Sequence, residues 1–335
     1  MRPHVRSLVL TAGAVGAAGI GLCTAPVALA HVTGNLASLP PLSPLTALTT
    51  WSFDPLVTTT ILIPLVAYLS AVRRVDAAHP ANPVPRRRVA AWLGGLAVLA
   101  IALCSSVDVY SEVLFSVHMV QHMLLVFVVA PLLCLGAPMT LLLRVASPGQ
   151  RNRLVLPALR SRPLRVLTHP IVDWVLFTTV MWVTHFSPLF ELALENGWVH
   201  ILEHALFLAA GFLFWWPVVG VDPGPRPLSY PVRLGYVMLQ MPQNAFLGLT
   251  IFTASQVLYP FYTTTGLSWL PDPLSDQALG GGLMWVAGDL LFLIPVLLVV
   301  VGWLRDEERR GRLYDEQLDR QRAAAMGPVS RSGSG

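Results

Sequence analysis

Seven apolar stretches constrain this chain more than any other feature; they lie near residues 55–72, 89–107, 113–137, 171–187, 198–219, 232–258 and 279–304. At about 1.5 Å per residue, each carries a helix through most or all of a hydrocarbon layer about 30 Å thick. In lipid every backbone N–H and C=O must be satisfied inside the protein, so such stretches fold as helices. The expected fold class is therefore all-α: a polytopic membrane helix bundle of seven transmembrane helices after a cleaved N-terminal signal. Composition agrees, since 54% of residues are hydrophobic, 12% are charged, and mean hydropathy is +0.62. That charged fraction is about half the soluble norm. Pro64, Pro131, Pro217, Pro242 and Pro295 fall within the stretches, where neighbouring helices can re-satisfy the freed backbone.

The ends read differently. Arg2 and Arg6 precede an apolar run from Leu8, and Ala28-Leu29-Ala30 forms an A-x-A pattern before His31. Residues 1–30 thus read as an export signal cleaved ahead of His31. An uncleaved helix over 8–30 is the alternative, weakened by Gly13, Gly16, Gly19 and Gly21. Residues 31–54 form an extracytoplasmic lead, 55–304 the seven-helix membrane domain, and 305–335 a charged, then Ala/Gly/Ser-rich cytoplasmic tail that is partly disordered.

Arginine placement orients the bundle. All 22 basic residues are Arg. Five lie in the first loop (Arg73, Arg74, Arg86, Arg87 and Arg88), six in the third, two in the fifth (Arg226 and Arg233) and seven in the tail. Every Arg after the signal thus falls on one side of a seven-span arrangement. By the positive-inside rule that side is cytoplasmic, with the mature N-terminus outside. No basic patch alternates with aromatics as a nucleic-acid surface would. Cys23, Cys104 and Cys134 make neither a CxxC pair nor a disulfide framework.

With sidedness set, the histidines sort by depth. His118 and His122 are one helical turn apart, about 7 and 13 Å below the outer end of the third stretch. His200 and His204 repeat that spacing at the outer end of the fifth, and the fourth ends at His185. Ionisable groups inside a membrane are costly, so a layer of five imidazoles is a functional site by default rather than a set of helix-to-helix hydrogen bonds. These five are the expected metal ligands. Met119, Met123, Met181, Met284 and Cys104 reach the same layer as weaker candidates, and Glu203 and Asp289 are placed to orient imidazoles. Imidazole, thioether and thiolate suit copper, with sulfur favouring Cu(I), while His and carboxylate alone also suit zinc.

Competing patterns carry less. His200-x-x-Glu203-His204 matches the inverted zinc-protease motif, but no separate catalytic domain accompanies it. Paired HxxxH motifs also resemble membrane desaturases, whose histidine boxes face the cytoplasm. A haem b site needs one axial ligand on each face of the porphyrin, which one helix cannot supply although a cross-helix pair could.

The run Phe115–Pro138, with its HMxQHM core and PLLxLGAP ending, resembles the multi-span CtaG family of cytochrome c oxidase assembly factors. Trp51-Ser-Phe-Asp-Pro55, His200-Ile-Leu-Glu-His204 leading to Phe214-Trp-Trp-Pro217, Tyr259-Pro-Phe-Tyr262 and Asp276–Trp285 agree in order across 51–304. The resemblance implies a seven-helix protein of the bacterial plasma membrane that helps build a haem-copper oxidase by assisting copper insertion, with no catalytic turnover. Its partners would be oxidase subunits, a copper chaperone and the lipid bilayer. A copper permease is the alternative, with Cys134, Met139, Met238 and Met241 as its inner-leaflet trail. A haem-bearing electron carrier is the third reading.

The arginine pattern makes a direct demand. Cysteines introduced singly at 105–112, 187–197 and 259–278 should react with an impermeant maleimide in intact cells, and those at 150–160 should not. Reversed labelling would overturn the orientation.

Overall fold

The computed structural model describes residues 39–223 and 228–325. The signal reading over 1–30, a mature start at His31, Arg226 and the end of the tail lie outside the described residues. Within them the chain is helical and has no strand, apart from one isolated bridge between Trp51 and Ser105.

Helix α1, Pro55–Ala78, starts where the Asp54 carboxylate accepts from Leu56 N at 2.6 Å and Val57 N at 3.1 Å, with Pro55 at its first position. That is the expected chemistry of a helix start, since it satisfies amides that have no intrahelical partner. Helix α2 is Arg86–Cys104. Helix α3 runs Phe115–Met123, passes through a π-helical turn at Leu124–Val129, and resumes as Ala130–Leu135. Helix α4, Pro170–Phe186, is followed by the short helix Leu189–Glu195 across a 67° bend. Helix α5 is Gly197–Val219, capped by the Asn196 side chain and closed by Gly220 at φ 59°, a left-handed position that favours glycine. Helix α6 is Tyr230–Phe252. Helix α7 begins as Pro273–Gly282, turns through a second π-helical segment at Leu283–Ala287, and continues over Gly288–Ala325.

Five helical runs are long and apolar enough to cross a membrane: α1, α2, α3 with its extension to Val145, α5 and α7. A sixth is added if α4 and Leu189–Glu195 form one bent span. The sequence expectation of seven needs α6 as well. That helix has 23 residues, which is span length, but Arg233, Gln240, Gln243 and Asn244 lower its apolarity.

The bundle is assembled around α3, against which α2, α5 and α7 all pack. The π turn in α3 shows what fixes it there. In a π register the amide reaching Val126 O would belong to residue 131, which is a proline without an N–H. Trp215 Nε1 from α5 donates to that carbonyl instead, at 2.7 Å. Sequence supplies the proline, and a neighbouring helix supplies the lost donor. Helices α6 and α7 meet more closely still. A Cβ built on Gly281 would lie 2.5 Å from Phe252 N and 2.8 Å from Gly248 O, so the two backbones touch. Small residues at such crossings are how helices pack without a hydrophobic driving force. Beyond the apolar run, α7 carries exposed charge pairs, including Asp306 with Arg309 at 2.8 Å and with Arg310 at 2.9 Å. The hydrogen bond from Arg309 holds the Asp306 carboxyl below its usual range.

Gly281→Ala should therefore destabilise the bundle by about 1–3 kcal/mol, the usual cost of overpacking. Gly235→Ala, where nothing lies within 4 Å of the added methyl, should leave stability unchanged or raise it. Thermal unfolding in detergent reads both, and equal effects would show that the α6–α7 contact is not tight.

Candidate metal centre

Three helices bring five imidazoles to one end of the bundle, opposite the arginine-rich loops. His118 and His122 stand a turn apart on α3, His200 and His204 a turn apart on α5, and His185 ends α4. Their ring centroids lie 4.3 Å apart for His118 and His122, 5.3 Å for His118 and His200, and 4.2 Å for His200 and His204. His122 is 5.9 Å from His204 and 6.1 Å from His185. None is more than 9% exposed. Phe207 stacks on His122 at 4.1 Å, and Phe190 lies 5.0 Å from His118. Rings packed this closely leave no slot for a porphyrin plane between them.

Glu203 sits inside this group. One donor atom each from His118, His200 and Glu203 lie within 4.8 Å of one another. Glu203 Oε2 is 3.9 Å from His118 Nε2 and 3.8 Å from His122 Nε2, beyond hydrogen-bond reach. Both carboxylate oxygens are buried with no hydrogen-bond partner. An orphaned buried carboxylate is expensive. An ion with bonds of about 2.0–2.2 Å would remove that cost after small side-chain adjustments. The residues therefore fit a first-row metal, with imidazole and carboxylate as the donor set.

His118 and His122 also share a hydrogen bond, Nε2 to Nε2, at 2.9 Å. One of the two must donate and the other accept, so the pair is satisfied only when the tautomers differ. His204 is oriented from further away. Gln121 Nε2 donates to Ala102 O at 2.8 Å and Asp108 Oδ1 at 3.0 Å, and Ser52 Oγ donates to Asp108 Oδ2 at 3.0 Å. Both partners of that Gln121 nitrogen can only accept, so its Oε1 is the atom facing His204 Nε2, 3.2 Å away. His204 Nε2 then carries the proton, and Nδ1 holds the lone pair. A ligating imidazole commonly has its other nitrogen fixed in this way.

Gln121 is the residue the sequence reading passed over. It is fully buried and stands between the two histidines in the HMxQHM run, which was its available signal. Glu203, expected to orient imidazoles, brings an oxygen within 4.8 Å of donor atoms of His118 and His200. Asp289 accepts from Asn244 at 3.2 Å. Cys104 is buried in a separate apolar cluster with Leu96 and Leu99. Met119, Met123, Met181 and Met284 line a small cavity beside His122 and His185. Of the inner-leaflet trail, Met238 is 56% exposed and Cys134 Sγ donates to Phe212 O, so these two do not converge.

Loop aromatics close the site. Tyr259 OH donates to His185 O and Tyr262 OH to Ser111 O, each at 3.1 Å. Phe115 stacks on Tyr259 at 4.6 Å. Burial pushes the Tyr262 hydroxyl well above its ordinary pKa, with the Glu203 charge adding to the shift. Tyr259 is raised mainly by burial as well. Both phenols thus stay neutral and cover the cluster without adding charge.

Comparison with known proteins places the chain in a family. A family model described as cytochrome c oxidase caa3 assembly factor (Caa3_CtaG) matches residues 66–306. An uncharacterized protein of Mycobacterium bovis is 36% identical over 283 residues, covering 81% of this chain and 42% of its own length. An uncharacterized protein of Mycobacterium leprae is 34% identical over 279 residues, with the same coverage. The chain thus spans less than half the length of the curated relatives it matches. No solved structure matches it.

If Glu203 is an orphan awaiting an ion, Glu203→Leu should raise the stability of the metal-free protein by about 1–3 kcal/mol. The same change should abolish any stabilisation by added Zn(II) or Cu(II). Thermal unfolding with and without metal measures both, and a less stable metal-free variant would contradict the assignment.

Proposed function

Because the chain belongs to the family of cytochrome c oxidase caa3 assembly factors, we propose that it is a membrane assembly factor for cytochrome c oxidase, holding copper as cargo in its buried His/Glu cluster. The reading is carried by one observation. Glu203, with both oxygens unpartnered, shares a 4.8 Å neighbourhood with His118 and His200. In this reading the cluster lies in the outer leaflet of the bacterial plasma membrane, with α6 as the seventh span and the C-terminus cytoplasmic; the one-sided arginine distribution supports that orientation. Oxidase subunits are the recipients and a copper chaperone the donor.

The chain's own residues supply binding and orientation. His118, His200 and Glu203 hold the ion, and the Glu203 carboxylate offsets part of its charge in a medium that solvates charge poorly. His122 and His204 complete the imidazole set, and Gln121 fixes the direction in which His204 presents its lone pair. The neutral Tyr259 and Tyr262 shield the ion from water. No bond in a substrate is made or broken, so the activity is transfer of cargo rather than catalysis.

Substitution separates this reading from one in which the histidines merely join helices. His122→Ala and His204→Ala should leave protein levels in the membrane near normal, yet reduce bound copper and oxidase activity. Excess copper in the medium should partly restore the oxidase. If each of the five histidines can be replaced singly with copper content and oxidase activity intact, there is no such site.

A further inference from the structure

His185 is held through one of its two ring nitrogens and lines a cavity with the other buried. Its Nδ1 is 2.6 Å from Met181 O. A carbonyl can only accept, so Nδ1 carries the ring proton and Nε2 keeps a bare lone pair. That Nε2 is buried and has no hydrogen-bond partner. The ring lines a cavity of about 20 Å³ whose walls also include Met119, Met123, Met181, Met284 and His122. Four methionines from three helices thus border one void. Methionine in a core usually fills gaps, because its chain bends to suit. Here Met119 is fully buried and Met284 is 6% exposed, yet the space between them stays open. Its volume suits one water or one bare ion.

The cavity and the His/Glu cluster differ in donor chemistry. No carboxylate lines the cavity, whereas Glu203 sits with His118 and His200. Asn244 also lines the cavity, but its amide nitrogen is committed to Met284 O and Asp289 Oδ1. The thioether and imidazole donors that outnumber it favour a soft cation, and sulfur selects Cu(I) over harder divalent ions. A single charge is also less costly than a double one where no anion offsets it. His122 stands between the two places. Its Nε2 meets His118 at 2.9 Å, and its ring forms part of the cavity wall.

We propose that this cavity is a second metal site, selective for a soft monovalent d10 cation of the Cu(I) class, with His185 Nε2 and the thioethers of Met119, Met181 and Met284 as its ligands. It adjoins the His/Glu site across His122, so one protein holds a hard and a soft position side by side. The biological identity of the ion rests on the copper reading above, but the site itself is a claim about soft cations.

The test uses Ag(I) as a redox-inert soft probe on the full-length protein in detergent. Cys23, Cys104 and Cys134 are replaced by Ala so that thiolates do not compete. With Zn(II) already saturating, one Ag(I) per chain should bind, and X-ray absorption at the silver edge should show sulfur neighbours. Met181→Leu with Met284→Leu, which conserves volume, should lose that Ag(I) equivalent and keep the Zn(II) equivalent. His185→Phe should weaken Ag(I) binding as well. The proposal is overturned if Ag(I) displaces Zn(II) one for one, if bound silver has only nitrogen or oxygen neighbours, or if the double variant retains its Ag(I). It is equally overturned if no Ag(I) binds, which would leave the cavity to a water donating to His185. Failure of Zn(II) to bind while Ag(I) binds through sulfur would remove the His/Glu site and leave the soft site standing.

Discussion

The bundle depends on how it accommodates a buried polar face on its most central helix. α3 turns His118, Gln121 and His122 inward, where each is no more than 4% exposed, and it is packed on several sides by other helices. Polar groups at such depth need partners from the chain itself, because lipid offers none. Much of the surrounding structure can be understood as supplying them. Asp108 and Ala102 take the Gln121 amide protons, Trp215 takes the carbonyl released at Pro131, and Asp276 takes Ser116 Oγ and N at 2.5 and 3.2 Å. At the centre both Glu203 oxygens stay buried without a hydrogen-bond partner, and Nε2 of His118 and of His122 face one of them at 3.9 and 3.8 Å. Such a carboxylate among imidazoles is what a metal ion would use.

The two π-helical turns belong to the same account. One follows Met123 on α3, and the other spans Met284 on α7. Each frees a carbonyl that a neighbouring side chain captures, Trp215 Nε1 for Val126 O and Asn244 Nδ2 for Met284 O. Each also lies beside the methionine-lined cavity. π-Bulges recur at functional sites because one inserted residue re-aims the side chains that follow. In this protein they put methionines of two helices beside a common space.

The sequence made some of this legible and concealed the rest for physical reasons. The i,i+4 histidine pairs were readable because helical periodicity alone puts them on one face, and arginine placement set them at one depth. That three helices would turn those faces toward each other was an expectation about packing, and the ring distances of 4.2–6.1 Å supply it. Glu203 was visible as a group beside the imidazoles, but spacing cannot show that both its oxygens are buried without a hydrogen-bond partner. Gln121 was overlooked because a lone amide on a helix has no periodic signature. Its role emerges only with Asp108, which arrives from a different helix. The π turns depend on donors from neighbouring helices and leave no local pattern beyond the proline. α6 shows the opposite limit, since its polar residues lower apolarity while making bonds such as that from Thr178 Oγ1 to Gln240 Oε1 at 2.9 Å.

The central claim is that the buried His/Glu cluster is a metal site rather than a knot of helix-to-helix hydrogen bonds. The most direct measurement is electron paramagnetic resonance of the purified, metal-free full-length protein titrated with Cu(II). The expected result is one tightly bound Cu(II) per chain whose spectrum shows splitting from more than one nitrogen ligand, with the signal altered when Glu203 becomes Gln. A Cu(II) signal that stays that of the free aqueous ion, or bound Cu(II) with no nitrogen splitting, would contradict it.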